Sequence, residues 1–218
     1  DPEALTKLAH EYGCLSIVDT VTGLAGIPLM VDEWGIDAIY SGTQKCLSAS
    51  PGLSPISFSN NAKDKIKKRK TKVKSWFHDL NLIMSYWEGE GARSYHHTAP
   101  INALYGLHEA LVILEEEGIE NSWKRHYDNH ILLRNGLEEI GINFLVNKED
   151  RLPQLNTIFI PDGVNDAEVR SKLLNEYNLE IGAGLGSLAG KVWRIGLMGQ
   201  SSNKKNIDYC LNSIAEVI

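Results

Sequence analysis

The sequence has few cysteines and no long hydrophobic run, and both features exclude classes of protein. Its three cysteines, Cys14, Cys46 and Cys210, are odd in number and lack the spacing of a disulfide framework or a zinc site. No apolar stretch approaches the ~20 residues that a transmembrane helix requires. We therefore expect a protein of a reducing compartment that does not cross a membrane.

The balance of charge argues against a general nucleic-acid binder. The formal net charge is -6, and hydrophobic residues make up 43% of the 218 residues, which is typical of a globular chain with a core of its own. One segment departs from this balance, because eight of the twelve residues from 63 to 74 are Lys or Arg. We interpret it as the solvated face of an amphipathic helix over residues 60–69. The alternative is a patch for nucleic acid or acidic lipid.

Two short apolar runs end in residues of opposite charge. The run from Cys14 to Val18 is strand-like and ends in Asp19, and the next strand-like run, Ile36 to Ser41, leads into Lys45. Strands that alternate with short helical or loop crossovers predict a parallel sheet. Because ligands bind beyond the carboxyl ends of parallel strands, we expect Asp19 and Lys45 to point into one crevice.

A lysine and a carboxylate at such a crevice suit pyridoxal phosphate. A lysine attacks a carbonyl only when it is unprotonated, and it can then hold the cofactor aldehyde as an imine. A carboxylate keeps the ring nitrogen of the cofactor protonated, so that the ring accepts electrons. The alternatives are a solvated loop lysine for Lys45 and a helix cap for Asp19.

The other elements predict an α/β chain with a boundary near Gly118. Apolar residues recur at helical spacing over residues 101–117, and a second helix is predicted over residues 120–140. We therefore divide the chain into residues 1–118, as part of a larger sheet domain, and residues 119–218, as a small α/β domain. In the small domain we predict strands at 142–146, 156–160 and 179–181, a helix capped by Asp166, and a terminal helix that begins at Ser202 or Asn203.

Three motifs outside the two strand ends are further candidates for a site. Arg194 lies in a strand-like run, where a charged side chain is destabilising unless it has a partner. The parallel N–H donors of its guanidinium suit a substrate carboxylate, and a structural salt bridge is the alternative. His96 and His97 do not predict a metal site, because adjacent histidines point in different directions and no other ligand completes a set. Residues 182–186 lack the spacing of a phosphate loop, and we interpret them as a loop at a substrate entrance.

Several of these motifs resemble the class V aminotransferases of pyridoxal-phosphate fold type I, and within that class the alanine–glyoxylate (serine–pyruvate) type. The resemblance implies the second part of a large, mostly parallel sheet domain followed by a small carboxyl-terminal α/β domain. We expect a fragment that lacks the family's amino-terminal half. The stretches that carry the resemblance run through nearly the whole chain and are residues 18–21, 35–37, 40–45, 51–52, 69–72, 95–98, 120–123, 184–186 and 190–197.

The resemblance also implies roles for individual residues. Lys45 would be the catalytic lysine that holds pyridoxal 5'-phosphate, with Asp19 and Gln44 as further cofactor-binding residues. Tyr95 and Thr98 would reach the cofactor phosphate of the neighbouring subunit. The resemblance therefore implies a homodimer with active sites shared between its subunits.

The implied activity is transfer of the amino group of alanine or serine to glyoxylate or pyruvate, which gives glycine when glyoxylate accepts. Arg194, in its Arg-Ile-Gly context, would hold the α-carboxylate of the substrate. The expected partners are small amino acids and 2-oxo acids, without nucleic acid, membrane or metal. The family implies a peroxisomal location, or alternatively a mitochondrial one.

Three alternatives remain open. Cysteine desulfurases place a histidine directly before the lysine and use a mobile cysteine, whereas this chain has Gln44 before Lys45 and Cys46 directly after it. Phosphoserine-type transaminases are the second alternative. The third is an inactive fragment that only dimerises or binds partners.

Overall fold

Two sheets organise the chain in the computed structural model, which describes residues 1–87 and 94–218. In the first sheet β2 lies between β1, its parallel neighbour, and β3, its antiparallel neighbour. In the second sheet β6 lies between β4 and β5, and both pairings are antiparallel. The strands are β1 (Ile17–Asp19), β2 (Ala38–Tyr40), β3 (Ile56–Phe58), β4 (Leu155–Phe159), β5 (Gly182–Ala183) and β6 (Val192–Gly196).

Helices pack against the second sheet, and the α/β class predicted from the sequence is confirmed. The helix predicted over residues 101–117 has those bounds, and the terminal helix begins after Asn203, whose side chain accepts a hydrogen bond from the Asn206 N–H. No helix in the described part of the chain is long and apolar enough to cross a membrane. The helices are α1 (Pro2–Glu11), α2 (Asn60–Lys67), α3 (Leu80–Trp87), α4 (Ile101–Glu117), α5 (Ile119–Glu139), α6 (Asp166–Tyr177) and α7 (Lys204–Val217).

Two strand predictions in the small domain were wrong in extent. Residues 142–146 do not form a strand, because Phe144 pairs with Ile158 at a single isolated bridge before the chain turns away. The strand predicted at 179–181 instead covers Gly182–Ala183, where its register with Arg194 and Trp193 on β6 fixes it. The proposed entrance loop at 182–186 therefore begins as a strand. Pairing with distant residues decided both outcomes.

The predicted cap of α6 was also wrong by one residue. Asn165 is the cap, since its Oδ1 accepts hydrogen bonds from the backbone N–H groups of residues 167 and 168. The carboxylate of Asp166 is occupied elsewhere, because it accepts from Arg170 Nε at 2.7 Å and from Trp193 Nε1 at 2.8 Å. The hydrogen bond from Arg170, followed by that from Trp193, lowers the pKa of Asp166 although burial opposes the shift.

The main core lies between the second sheet and helices α5, α6 and α7. Its buried members come from residues 133–214, inside the predicted small domain, although the boundary at 118 stays a prediction. Helical spacing explains which residues are buried, because Leu133 and Leu137 on α5 and Ile207 and Ile214 on α7 recur on one face. Burying each such side chain contributes about 1.5–3 kcal/mol.

A smaller cluster joins the segment after β2 to α4. Cys46 and Leu47 pack with Ala25, and Leu107 and Met198 cover them. Met198 comes shortly after β6, so the cluster connects the end of the second sheet with the chain that follows the first. This contact brings the loop of Lys45, after β2, close to the segment that follows Arg194 on β6.

Asp37 anchors the first sheet through a buried carboxylate. It is 1% exposed and accepts hydrogen bonds from His10 Nε2 at 2.6 Å, Ser16 N at 3.0 Å and Ser59 Oγ at 2.9 Å. Burial acts to raise the pKa of Asp37, but these hydrogen bonds together lower it below its ordinary value. Because the donors come from α1, the approach to β1 and the residue after β3, one side chain ties three segments to the start of β2.

Replacing Asp37 with Asn is expected to destabilise the protein by about 2 kcal/mol, because an amide cannot accept from all of these donors. Since the folded pKa is lowered, this contribution is complete above the unfolded pKa of about 3.9 and is lost as the pH falls through the folded value. Urea unfolding of the intact protein at pH 7 and pH 3 measures it. The exposed Asp64→Asn is the control, and equal stabilities of the two variants at pH 7 would contradict the assignment.

Candidate active site

A tightly bonded loop presents Lys45 after β2. Ser41 Oγ donates to the carbonyl of Thr20 at 2.9 Å, and Thr43 Oγ1 donates to the carbonyl of Ser50 at 2.7 Å. Ser41 and Thr43 are both buried, whereas Lys45 is half-buried and Gln44 is exposed. Polar side chains therefore replace the sheet ladder as the support for this segment, and the loop holds its backbone inside while Gln44 and Lys45 face outward.

Lys45 and Arg194 line the same cavity, whereas the crevice predicted from the strand ends was one shared by Lys45 and Asp19. The cavity measures about 750 Å³ and is open to solvent. Gln44 and Glu180 also line it, so that three of the predicted site residues meet there. The remaining lining residues are Ser48, Ala49, Gly182, Gly196, Met198, Gln200 and Ser201.

The guanidinium of Arg194 is held from one side only. Its Nε donates to the carbonyl of Ala183 on β5 at 2.8 Å. None of the ion pairs found in residues 1–87 and 94–218 includes Arg194. The salt bridge considered from the sequence therefore has no partner in the described part of the chain. Gly182 lies opposite in the register, and even a Cβ there would come within 3.4 Å of Arg194 Nη2.

Asp19 ends β1 beside Tyr40, the last residue of β2, because the two strands are parallel and in register. Its Oδ2 accepts from the Tyr40 hydroxyl at 2.8 Å, and its Oδ1 accepts from the Val21 N–H at 2.9 Å. The hydrogen bond to Asp19 raises the pKa of Tyr40. Asp19 lines a separate cavity between α1 and the loop after β1, so the described chain does not bring it into the cavity of Lys45.

Tyr95 and Thr98 form a pair of their own away from Lys45. The Tyr95 hydroxyl and Thr98 Oγ1 are 2.5 Å apart, and Tyr95 is 68% exposed. Neither residue lines the cavity that contains Lys45 and Arg194. Between them, His96 stacks on Trp76 with ring centroids 4.1 Å apart. Among residues 1–87 and 94–218, no group of three His, Cys, Asp or Glu side chains is arranged to hold a metal ion.

Cys46 is a packing residue rather than a nucleophile. It is 5% exposed, and its Sγ donates to the carbonyl of Thr22 at 3.3 Å. Burial raises the pKa of the Cys46 thiol to about 11. A thiol reacts as its thiolate, so this environment opposes the chemistry of a desulfurase cysteine.

The turn after β6 forms one wall of the cavity and was not predicted. Gly199 begins a 3-10 turn of three residues that ends at Ser201. The Gln200 N–H donates to Ser48 Oγ at 2.8 Å, although the two residues are 152 positions apart in sequence. Gly199 has φ +58°, and a Cβ there would overlap Ser48 Oγ. In the sequence, the only signal for this turn is Gly199, which follows shortly after the end of β6.

The residues present can accommodate a small molecule that has both a carbonyl and an acidic group. Lys45 supplies an amine and Arg194 a planar cation, and the cavity between them is polar and open. Within the described residues no hydrogen-bond or ion-pair partner occupies the Lys45 amine. A cofactor aldehyde could be held at Lys45 while an anionic substrate binds at Arg194.

The chain is similar to known proteins of one family. Residues 1–209 match the family described as Aminotransferase class-V. The chain is 42% identical over 214 residues to an alanine–glyoxylate aminotransferase of Rattus norvegicus, covering 97% of this chain and 52% of the relative. It is 32% identical to an (S)-ureidoglycine–glyoxylate transaminase of Bacillus subtilis, covering 99% of this chain and 56% of that relative.

A solved structure shows the same fold over the whole chain. The alanine–glyoxylate aminotransferase of Nostoc sp. superposes with a TM-score of 0.95 at 48% identity, and the match covers 100% of this chain and 57% of the other. The chain therefore spans about half the length of the curated relatives it matches. Its fold and its order of motifs are those of these proteins.

Proposed function

Because this chain belongs to the class V aminotransferase family, we propose that the protein containing it transfers the amino group of alanine or serine to glyoxylate or pyruvate. The observation that carries the proposal is the shared cavity of Lys45 and Arg194. Lys45 supplies an amine that can hold the aldehyde of a cofactor, and Arg194 supplies a cation that can bind the carboxylate that 2-oxo acids and amino acids share.

The cofactor we propose is pyridoxal 5'-phosphate. Lys45 would hold it, with Gln44 beside it, and Asp19 would keep its ring nitrogen protonated. The cofactor, when bound, supplies a ring that accepts electrons from the α-carbon of the amino acid. One observation supports the role of Lys45, because buried hydroxyls fix the loop that presents it. Asp19 ends the strand parallel to β2 but lines a separate cavity, so its role rests on the resemblance.

Each side chain of the site has one task in the proposed reaction. Arg194 binds the α-carboxylate of the incoming amino acid through its free donors and so orients the α-carbon. Lys45 Nζ takes the α-proton of that amino acid and, in the second half-reaction, returns a proton to the former oxo carbon of the acceptor. The first amino acid leaves as a 2-oxo acid, and the acceptor leaves as an amino acid, so the exchange balances.

The donor is proposed from two considerations. The relatives at about 40% identity carry the name alanine–glyoxylate aminotransferase, and the relative at 32% carries the name (S)-ureidoglycine–glyoxylate transaminase. Both names share glyoxylate as the acceptor. Since this chain is more similar to the first group, we favour alanine, or the closely similar serine, as the donor.

Borohydride reduction of the intact protein with its cofactor, followed by peptide mapping, tests the central assignment. The cofactor is expected on the peptide that contains Lys45, and alanine with glyoxylate should yield glycine and pyruvate. Lys45→Arg should lose the label and lower the rate by about 10²- to 10⁴-fold, because it removes the group that moves the proton. The exposed Lys191→Arg is the control.

The outcomes of that experiment separate the alternatives. An unlabelled Lys45 would show that the cofactor assignment is wrong. If Lys45 is labelled but only ureidoglycine is a donor, the cofactor assignment stands and the proposed donor is wrong. If Lys45 is labelled but neither alanine, serine nor ureidoglycine transfers its amino group, the protein binds the cofactor without the proposed activity.

Arg194→Lys is expected to raise the KM for alanine about 10- to 100-fold, because it removes a charge-assisted hydrogen bond and the planar fork. Arg194→Gln should raise it further, since the charge is lost as well. Steady-state kinetics on the intact enzyme measure both. Arg170→Lys serves as the matched control, because Arg170 pairs with Asp166 outside the cavity. An unchanged KM in Arg194→Gln would contradict the carboxylate assignment.

We also propose a homodimer in which Tyr95 and Thr98 act in the partner's site. Their hydroxyls lie together on an exposed surface away from Lys45, which supports a role outside their own subunit's cavity. A hydroxyl pair of this kind can donate hydrogen bonds to a phosphate.

Mixed dimers test the shared site. Lys45→Arg protein and Tyr95→Ala/Thr98→Ala protein should each be nearly inactive, and mixing them should restore about a quarter of wild-type activity, because half of the dimers then contain one intact site. Each protein dissociated and reassociated by itself is the control. If the two residues served their own subunit, mixing would restore nothing.

A further inference from the structure

The turn from Gly199 to Ser201 is held by hydrogen bonds on two sides. On one side it meets the loop of Lys45, and on the other it meets α5 of the small domain. Arg194 lies five residues before Gly199 and Lys45 lies three residues before Ser48. The turn therefore links the segment that carries Arg194 to the loop that carries Lys45.

His126 on α5 holds the buried side of this turn. Its ring is fully buried, with Nδ1 2.7 Å from the carbonyl of Ser122 and Nε2 2.9 Å from the backbone nitrogen of Gly199. A carbonyl can only accept a hydrogen bond and a backbone N–H can only donate one. Both contacts are satisfied together only by a neutral ring with its proton on Nδ1.

Two further contacts define the position of the turn. Arg125 Nη1 donates to the carbonyls of Gly199 at 2.7 Å and Ser202 at 3.0 Å, while the rest of its guanidinium pairs with Glu117 on α4. On the opposite side, Ser48 has φ +61° and accepts from the Gln200 N–H. A non-glycine residue held in that conformation is strained and persists only where its surroundings fix it.

We infer that His126 is a positioning residue for the proposed transamination. By accepting a hydrogen bond from the Gly199 N–H, it holds the turn against Ser48 and so sets the distance between Lys45 and Arg194. The inference rests on the proposed function, because that spacing matters only if one substrate bridges both groups. A displacement of about 1 Å at such a site can reduce the rate about 10²-fold.

The charge state of His126 agrees with this role. Burial lowers the pKa of His126, Arg125 on the same helix lowers it further, and Glu117 on α4 together with the Ser122 carbonyl opposes the shift. The ring is therefore neutral at pH 7. As the pH falls through this lowered value, a proton on Nε2 replaces the acceptor with a donor that faces the Gly199 N–H, and the contact is lost.

Two amide substitutions in the intact holoenzyme separate the two bonds of the ring. In His126→Gln the longer amide can place its oxygen near the position of Nε2 and accept from Gly199. In His126→Asn the shorter amide can still donate to Ser122 but does not reach Gly199. His130→Asn is the control, because His130 is buried one turn later and bonds Asn156 instead.

The expected results differ between the variants. His126→Asn should raise the KM for alanine about tenfold or more and should speed amide hydrogen exchange at residues 199–202 by a similar factor, while exchange on β6 is unchanged. His126→Gln should restore both quantities to within about threefold and should remove the acid limb contributed by His126 from the pH profile. His130→Asn should lower stability without changing either quantity.

Ser48→Ala tests the same turn from its exposed side, where a folding defect is not expected. It should raise the KM for alanine and the exchange at residues 199–202 in the same direction as His126→Asn. Wild-type values in both variants, or equal losses in His126→Asn and His126→Gln, would overturn the inference. Absence of amino transfer in the wild type would instead overturn the proposed function, and the exchange measurements would still decide whether His126 holds the turn.

Discussion

The structure of the site depends on a cation that the described chain does not neutralise. Arg194 is half-buried on the central strand of the second sheet, and within residues 1–87 and 94–218 no carboxylate lies within 4 Å of its guanidinium. A charge withdrawn from water without a partner is destabilising, so the surrounding fold must supply the compensation. The main core packs against the face of this strand that carries Trp193 and Ile195, and Arg194 lies on the opposite face.

A comparison with Asp37 supports the binding role proposed for Arg194. Asp37 is also a buried charge, but three donors within 3.0 Å satisfy it, so nothing is left for a ligand. Arg194 uses one donor on the Ala183 carbonyl and directs the others into an open cavity. The same physical rule, that a charge withdrawn from water requires partners, thus accounts for the anchor in the first sheet and supports the binding role proposed for Arg194 in the second.

Local patterns were sufficient for the parts of the fold that are local. Apolar spacing located α4 and a cap residue located the start of α7. A strand end led to Lys45, and a charge within a strand-like run singled out Arg194. Each of these signals lies within one element. The strand at 182–183 and the cap of α6 could not be found in this way. Asn165 and Asp166 are equally good caps by residue type, and the hydrogen bonds that occupy Asp166, from Arg170 and from the distant indole of Trp193, decide between them.

The residues that form the walls of the site were not predicted, because they too are brought together from distant parts of the sequence. Ser48 and Gln200 are 152 residues apart, and His126 and Gly199 are 73 residues apart. No periodicity or motif encodes such pairs, whereas a resemblance to a family carries over only the residues that its motifs contain. Asp19 shows a second limit of prediction from sequence. Its place at the end of a parallel strand was predicted correctly, but the separate cavity that it lines was not predicted.

The choice of histidine at position 126 follows from the geometry of the turn. The two atoms to be bonded, a carbonyl within α5 and an N–H on another segment, lie on opposite sides of the side chain and require one donor and one acceptor. An imidazole carries both at fixed separation in a flat ring with two rotatable bonds. A glutamine has the same two functions at the end of a longer chain and loses more conformational freedom when it is ordered. A rigid ring therefore holds the turn with less entropy loss, at the cost of sensitivity to acid, which a pKa lowered by burial offsets.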